Sequence, residues 1–342
     1  MQQPTTPITG LHHVSAITAD AQGTVDFYTQ ALGLRIIKKS VNQDDVSVYH
    51  LFFSDAAGSA GTDLTFFEIP HSGRNHPGSG EISEIAFRIP TDDSLAFWKS
   101  RFEQLGIDHD QIIGRFGRTV LPFRDLEGQR LALMSDGDNA PIPAGQPWPH
   151  PGVPVEHAIV GLASVSISTA RPHATMPVLT DVMGYRIVEE IADPEHDGHK
   201  VVVLETGEGG PNGLFYVHVQ PDVPQAMLGR GGVHHVAFRA PNAELHQQWR
   251  EYIGSRGLNI TPEIDRFYFL AAYFREPGGV LFELSSDGPG FAVDQSEEEL
   301  GVETALPPFL KSRSEEILAN LHPIDTSRDR TQIDAAAVRT AS

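Results

Sequence analysis

Apolar and polar residues alternate along many short runs of this chain, and each run is closed by Gly, Asp, Asn or Pro. Alternation with a period of two is the mark of a half-buried strand, and the closing residues are turn formers. The first such run is 11–18. A helical spacing follows over 21–32 and stops at Gly33, a good C-terminal cap. Strand patterns at 35–41, 46–54 and 62–69 complete the unit. The order strand, helix, three strands recurs at 82–89, 93–105, 111–114, 119–124 and 130–135. It recurs again at 161–169, 173–183, 185–191, 200–205 and 213–219, and at 234–240, 243–256, 259–265, 268–275 and 280–285.

These units are related in sequence as well as in pattern. Ile8-Thr9-Gly10-Leu11-His12-His13-Val14-Ser15 aligns with Ile159-Val160-Gly161-Leu162-Ala163-Ser164-Val165-Ser166, and Ile85-Ala86-Phe87-Arg88 aligns with Val236-Ala237-Phe238-Arg239. A βαβββ module of this size cannot cover its own sheet, so modules are expected to pair into shared, curved mixed sheets that enclose a pocket. The fold class expected is α+β, with four such modules in two domains. Pro141, Pro143, Pro147, Pro149, Pro151 and Pro154 crowd the stretch 137–156, which reads as a linker because proline removes backbone donors. It separates a first domain at 8–136 from a second at 157–321, and the polar stretch 322–342 reads as a flexible tail.

The repeats differ in the polar groups they carry. The opening strands hold His12-His13 in the first module and His234-His235 in the fourth, against Ser83-Glu84 and Ala163-Ser164 in the others. Glu283 interrupts an apolar last strand, Val280-Leu281-Phe282-Glu283-Leu284, where charge is costly. Alternation with Val14 and Ala16, and with Val236 and Phe238, turns His13 and His235 to the concave side, and Glu283 with them. Two imidazoles and one carboxylate with open positions form a facial triad of the kind that suits non-haem Fe(II). The last module lies far from the first in sequence, so this site requires those two to meet across the linker.

Composition agrees with that chemistry. Among 342 residues there are 16 His and no Cys, which excludes disulfides, thiolate metal sites, iron–sulfur clusters and a cysteine nucleophile. The formal charge of −20 argues against nucleic acid and against an anionic membrane surface. No apolar run approaches the roughly 20 residues of a spanning helix, and the first residues lack a signal-peptide pattern, so a cytoplasmic location is the expectation. His50 lies on a strand of the first module, either lining a pocket or within the core. His71, His76, His150, His196 and His199 fall in loops rich in Gly, Pro and Asp and read as solvated.

Tyr273-Phe274-Arg275-Glu276-Pro277-Gly278-Gly279-Val280-Leu281-Phe282-Glu283 resembles the C-terminal part of the extradiol dioxygenase signature, although Asp265-Arg266 stands where that signature has an upstream His. The chain thus resembles the vicinal oxygen chelate superfamily, which includes glyoxalase I, bleomycin-resistance proteins and type I extradiol dioxygenases. It is similar to the hydroquinone-type ring-cleaving branch through Gly10-Leu11-His12-His13-Val14, Tyr49-His50-Leu51, Arg115-Phe116-Gly117, Val233-His234-His235-Val236-Ala237-Phe238, Asp265-Arg266 and Tyr273, a match running over 8–321.

This resemblance implies two vicinal-oxygen-chelate domains and an enzyme that opens a small aromatic substrate with O2. It implies His13, His235 and Glu283 as ligands of Fe(II), with Mn, Ni or Zn as alternatives. His12, His234, Arg266 and Tyr273 would then serve catalysis, while Ser15 and His50 would touch substrate. A homo-oligomer is compatible with it. The rival reading within the superfamily is a glyoxalase-like isomerase or lyase. There Glu68 would be a fourth ligand, because Phe66-Phe67-Glu68-Ile69 mirrors Leu281-Phe282-Glu283-Leu284. A third is a metal-free small-molecule binding protein.

Overall fold

The computed structural model describes residues 1–194, 196–327 and 338. Its strands follow the alternation closely. The first module comprises β1 (Leu11–Thr18), α1 (Ala21–Asp26, continued by a π-helical turn over Phe27–Ala31), β2 (Arg35–Val41), β3 (Tyr49–Ser54) and β4 (Asp63–Glu68). The second comprises β5 (Glu81–Ile89), α2 (Asp92–Leu105), β6 (Ile113–Arg115), β7 (Arg118–Arg124) and β8 (Arg130–Ser135). The third has β9 (Leu162–Thr169), α3 (Pro172–Pro177), β10 (Arg186–Ala192), β11 (Lys200–Glu205) and β12 (Leu214–Val219). In the fourth are β13 (Gly232–Ala240), α4 (Ala243–Ser255), β14 (Ile264–Asp265), β15 (Phe269–Arg275) and β16 (Leu281–Pro289), and α5 (Ser314–Asn320) follows.

Two strands are shorter than their patterns. The chain before β3 is held in a turn, because Asp45 Oδ1 accepts from Ser47 N at 3.1 Å. Pro262 has no amide hydrogen to give β14, and the Thr261 hydroxyl accepts from Tyr273 N at 3.0 Å in place of a ladder bond.

The sheets do not follow the division at the linker. One runs β14-β15-β16-β13-β1-β4-β3-β2 and the other β10-β11-β12-β9-β5-β8-β7-β6. Each therefore joins one module from each half, first with fourth and second with third, through an antiparallel seam. Both are curved mixed sheets, and the fold is α+β. Their convex faces pack on the helices, burying Trp98 of α2 and Trp249 of α4, whose indole N–H groups reach the carbonyls of His157 and Thr6.

The concave face of the first sheet is strapped by the segment after β16. Lys38 is fully buried there and donates to Asp294 Oδ1 and Gln295 Oε1, both at 2.6 Å. Part of the expected tail, 328–337 and 339–342, lies outside the described residues. Its first residues are docked: His322 reaches Glu68 and Asp325 N donates to Gln22 at 2.7 Å. No described helix is long and apolar enough to cross a membrane.

The two sheets meet at Asn212, which has a φ of 75°. Its backbone links Leu11 N to its own carbonyl at 3.1 Å and its own amide to the Ala163 carbonyl at 2.6 Å. Its side-chain Nδ2 donates to the carbonyls of Gly61 and Leu162 at 3.1 and 3.3 Å. Asn212→Ala removes both side-chain bonds and places a Cβ residue less tolerant of positive φ there, so stability should fall by about 2–4 kcal/mol. Asn212→Gly, which relieves the backbone, should lose roughly half as much. Urea unfolding of the three chains measures this, and equal stabilities would refute the assignment.

Candidate metal centre

The seam between β1 and β13 contains two register shifts, one between Leu11 and His13 and one at His234, between Val233 and His235. An extra residue in a bulge breaks the strict alternation of faces. Each shift therefore lets a pair of consecutive imidazoles lie edge to edge instead of on opposite sides of the sheet. His12 and His13 have ring centroids 5.2 Å apart, and His234 and His235 5.0 Å. His13 and His235 face each other across the seam with their Nε2 atoms 3.3 Å apart. Glu283 is carried beside them by β16, where it pairs with Ala237 of β13.

The three donors converge. Glu283 Oε2 stands 2.8 Å from His235 Nε2 and 3.3 Å from His13 Nε2, and all three side chains are buried. Glu283 Oε1 is occupied by the Ser285 hydroxyl at 2.8 Å, which leaves Oε2 as the atom that faces the imidazoles. Oε2 has no hydrogen-bond partner.

Hydrogen bonding behind the imidazoles explains that orphaned oxygen. The Ser286 carbonyl can only accept, so His12 Nε2 donates to it at 3.0 Å. Burial, and next the charge of His13, push the His12 pKa down to about 3, so its Nδ1 is bare at neutral pH. His13 Nδ1, 3.0 Å away, must then carry the proton of that contact, which leaves His13 Nε2 as a lone pair aimed at Glu283. His234 Nδ1 likewise lies behind His235, 2.7 Å from its Nδ1. Burial pushes the His234 pKa down to about 4 and lowers that of His235.

Burial alone would raise the pKa of Glu283; positive charge at the facing imidazole positions outweighs burial and holds the group well below the ordinary value, and with their lone pairs turned to it the imidazoles do not supply that charge. A buried carboxylate beside two imidazole lone pairs calls for a cation. Cis donors each about 2.1 Å from one ion stand about 3 Å apart, which matches the spacings here. The site fits a divalent metal held by two nitrogens and one oxygen, with further positions open.

A small cavity of about 40 Å³ lies over these donors. Its lining includes His13, Ser15, His50, Phe52, Phe67, His235, Arg266, Phe269 and Tyr273. Ser15 Oγ lies 2.7 Å from Thr65 Oγ1, which in turn lies 3.0 Å from His50 Nε2, giving one polar wall. Burial, then the neighbouring His13, keeps His50 neutral. On the other wall Arg266 donates to both Asp44 oxygens, at 3.2 and 3.0 Å, and its guanidinium carbon lies 5.5 Å from the Tyr273 ring centre. Burial first, then the charge of Glu283, raises the Tyr273 pKa, so the phenol keeps its proton.

His13, His235 and Glu283 are thus brought together, with Ser15, His50, Arg266 and Tyr273 around the cavity. His12 and His234 stand behind the donors and do not line it. Glu68 is placed elsewhere. In the parallel pairing of β1 with β4, His13 is opposite Asp63, Ser15 opposite Thr65 and Thr18 opposite Glu68. Thr65 is therefore the counterpart of Glu283, three residues before the position that the sequence match suggested. Glu68 instead accepts from His322 Nε2 at 2.8 Å and from Ala21 N at 3.2 Å.

Thr65, Asp44 and Ser286 were not visible as site residues in the sequence. Asp44 lies in a polar turn, and the other two read as ordinary strand positions. The faint available signal was the twin HisHis pair, which called for acceptors behind it.

Comparison with known proteins places these features in a family context. A family described as the Glyoxalase/Bleomycin resistance protein/Dioxygenase superfamily matches residues 10–133 and again 161–284. The chain is 44% identical over 317 residues to the Bacillus subtilis protein named "Putative ring-cleaving dioxygenase MhqA", covering 93% of this chain and 99% of that one. It is 30% identical to the chlorohydroquinone/hydroquinone 1,2-dioxygenase of Sphingobium indicum, over 94% of this chain and 98% of that protein. A crystal structure titled as a putative dioxygenase from Bacillus subtilis superposes with a TM-score of 0.84 at 32% identity, covering 94% of this chain and 99% of that one.

Two substitutions test the site. Glu68→Ala should leave divalent-metal content unchanged, whereas His13→Ala should abolish it; metal loss with Glu68→Ala would overturn the geometry. His12→Phe, which removes the acceptor that fixes the His13 tautomer, should weaken metal affinity by about 10–100-fold while leaving all three donors in place. Titration with a competing chelator reads both effects.

Proposed function

The chain belongs to the glyoxalase/bleomycin resistance protein/dioxygenase superfamily, and on that premise we propose that it is an Fe(II)-dependent dioxygenase that opens the ring of a hydroquinone or related phenol. The observation that carries this reading is the buried meeting of His13 Nε2, His235 Nε2 and Glu283 Oε2, 2.8–3.3 Å apart, under a cavity walled by aromatic rings. The names of the relatives support the class of reaction. His13, His235 and Glu283 would hold the metal, and Fe(II), when bound, supplies the electronic coupling between an electron-rich ring and O2 that spin rules otherwise forbid. In the overall reaction a carbon–carbon bond next to a hydroxyl-bearing carbon breaks and both oxygen atoms enter the product.

The remaining side chains prepare the ring for that chemistry. Phe52, Phe67 and Phe269 offer flat apolar faces that hold an aromatic ring and exclude water. Ser15, Thr65 and the neutral His50 present hydroxyl-matching polar atoms on one wall. Arg266 keeps its positive charge, braced by Asp44, and is placed to stabilise negative charge on a substrate oxygen. Tyr273, held protonated, is the group placed to donate a proton at its phenol oxygen. The isomerase reading loses its fourth ligand, since Glu68 is engaged by His322 and α1.

Protein loaded with Fe(II) under anaerobic conditions should consume O2 when given hydroquinones. Glu283→Ala should lose iron and O2 uptake together. Arg266→Met should retain iron while losing about 100-fold in kcat/KM. Iron-loaded protein that consumes no O2 with any hydroquinone or catechol would sink the proposal.

A further inference from the structure

The second sheet repeats the seam of the first, with register shifts at Ser83 and Ala163, the counterparts of His234 and His12. Its own metal seat is not rebuilt. Ser164, Glu84 and Ala132 stand where the first sheet has His13, His235 and Glu283, and the buried Glu84 carboxylate is already neutralised by a bidentate Arg115. The sheet nevertheless carries a larger cavity of about 220 Å³, and His196 and His218 are among its lining residues. At this rim the loop between β10 and β11 closes on β12.

Asp193, His196 and His199 each bring a donor atom within 4.8 Å of the others. Asp193 is buried, and its Oδ2 lies 3.1 Å from His218 Nδ1 and 3.5 Å from His196 Nδ1. Donors about 2.05 Å from a tetrahedral ion stand about 3.3 Å apart, close to the Asp193–His196 spacing. His199 supplies a separate observation. Its Nε2 is engaged by Asp222 Oδ1 at 2.6 Å, while its Nδ1 is buried with no hydrogen-bond partner. A carboxylate that takes the proton of one ring nitrogen leaves the other as a bare lone pair, the arrangement commonly found behind metal-bound imidazoles.

We infer that Asp193, His196 and His199 form a second divalent-cation site, of the His/carboxylate class that suits Zn2+. The site is independent of the Fe(II) reading. It fixes the loop between β10 and β11, which the Asp193–His218 contact already holds to β12, and sets a positive charge at the mouth of the second cavity. His196 and His199, expected as solvated loop residues, stand in an Asp-x-x-His-x-x-His spacing, His196 exposed and His199 half-buried.

Equilibrium dialysis against Zn2+ with elemental analysis tests it on three full-length chains. The unaltered chain should retain about two equivalents, and Glu283→Ala should retain about one. A chain carrying both His196→Ala and His199→Ala should also retain about one, now lost on adding Glu283→Ala. Zn2+ should raise the melting temperature of Glu283→Ala but not that of the chain with all three substitutions, a readout separate from stoichiometry. If Glu283→Ala binds no Zn2+, or if its binding survives both His substitutions, the second site does not exist. If instead only the second site binds, this inference stands and the metal centre of the first sheet fails.

Discussion

Much of this molecule depends on one antiparallel seam, the pairing of β1 with β13, where two irregularities turn consecutive histidines toward one another. A regular strand would send His12 and His13 to opposite faces. With the bulge, one imidazole serves as the acceptor that dictates the tautomer of the next, and the outer ring is anchored on the Ser286 carbonyl. The result is a pair of nitrogen lone pairs and a carboxylate oxygen crowded together in the protein interior. Three such atoms repel unless positive charge lies between them, so the fold stores a demand for a cation at this place.

The two sheets show how readily that demand is met in other ways. In the second sheet the same seam and the same bulges persist, yet the carboxylate Glu84 is balanced by the guanidinium of Arg115. A fixed, always-charged side chain closes the seat permanently, whereas a metal leaves exchangeable positions. The backbone framework therefore tolerates either outcome, and function rests on a few side chains placed on it. Interleaving the halves, first module with fourth and second with third, leaves the linker joining β8 to β9 within the second sheet. Arg88 donates to the carbonyls of Ile142 and Pro143 within it.

Around the first site the charges are graded. Arg266 is braced by an exposed Asp44, while His50, His234 and His12 are kept neutral by burial. The cavity thus has one lasting positive group on its outer wall and neutral, hydrogen-bonding groups near the donors. Under the proposed function, such an arrangement would favour an aromatic substrate that loses a hydroxyl proton on binding, because the developing oxygen charge would meet Arg266 without competition from other protonated side chains.

Alternation and turn residues alone determined the four modules, nearly all strand limits, and the faces of His13, His235 and Glu283, because those depend on local geometry with a period of two. Pairing the first module with the fourth was also legible, since a shared site at 13 and 235 requires it. What the tertiary structure decided was register. Matching Phe66-Phe67-Glu68-Ile69 to the last strand suggested Glu68 at the centre. The β1–β4 ladder instead puts Thr65 there and sends Glu68 to the face of α1. The place of His12 behind His13, the brace of Asp44 on Arg266 and the gathering of Asp193 with His218 are of the same kind. Each joins residues far apart in the chain or at a bulge, where a shift of one position reverses the face of a side chain, and local patterning carries no information about that shift.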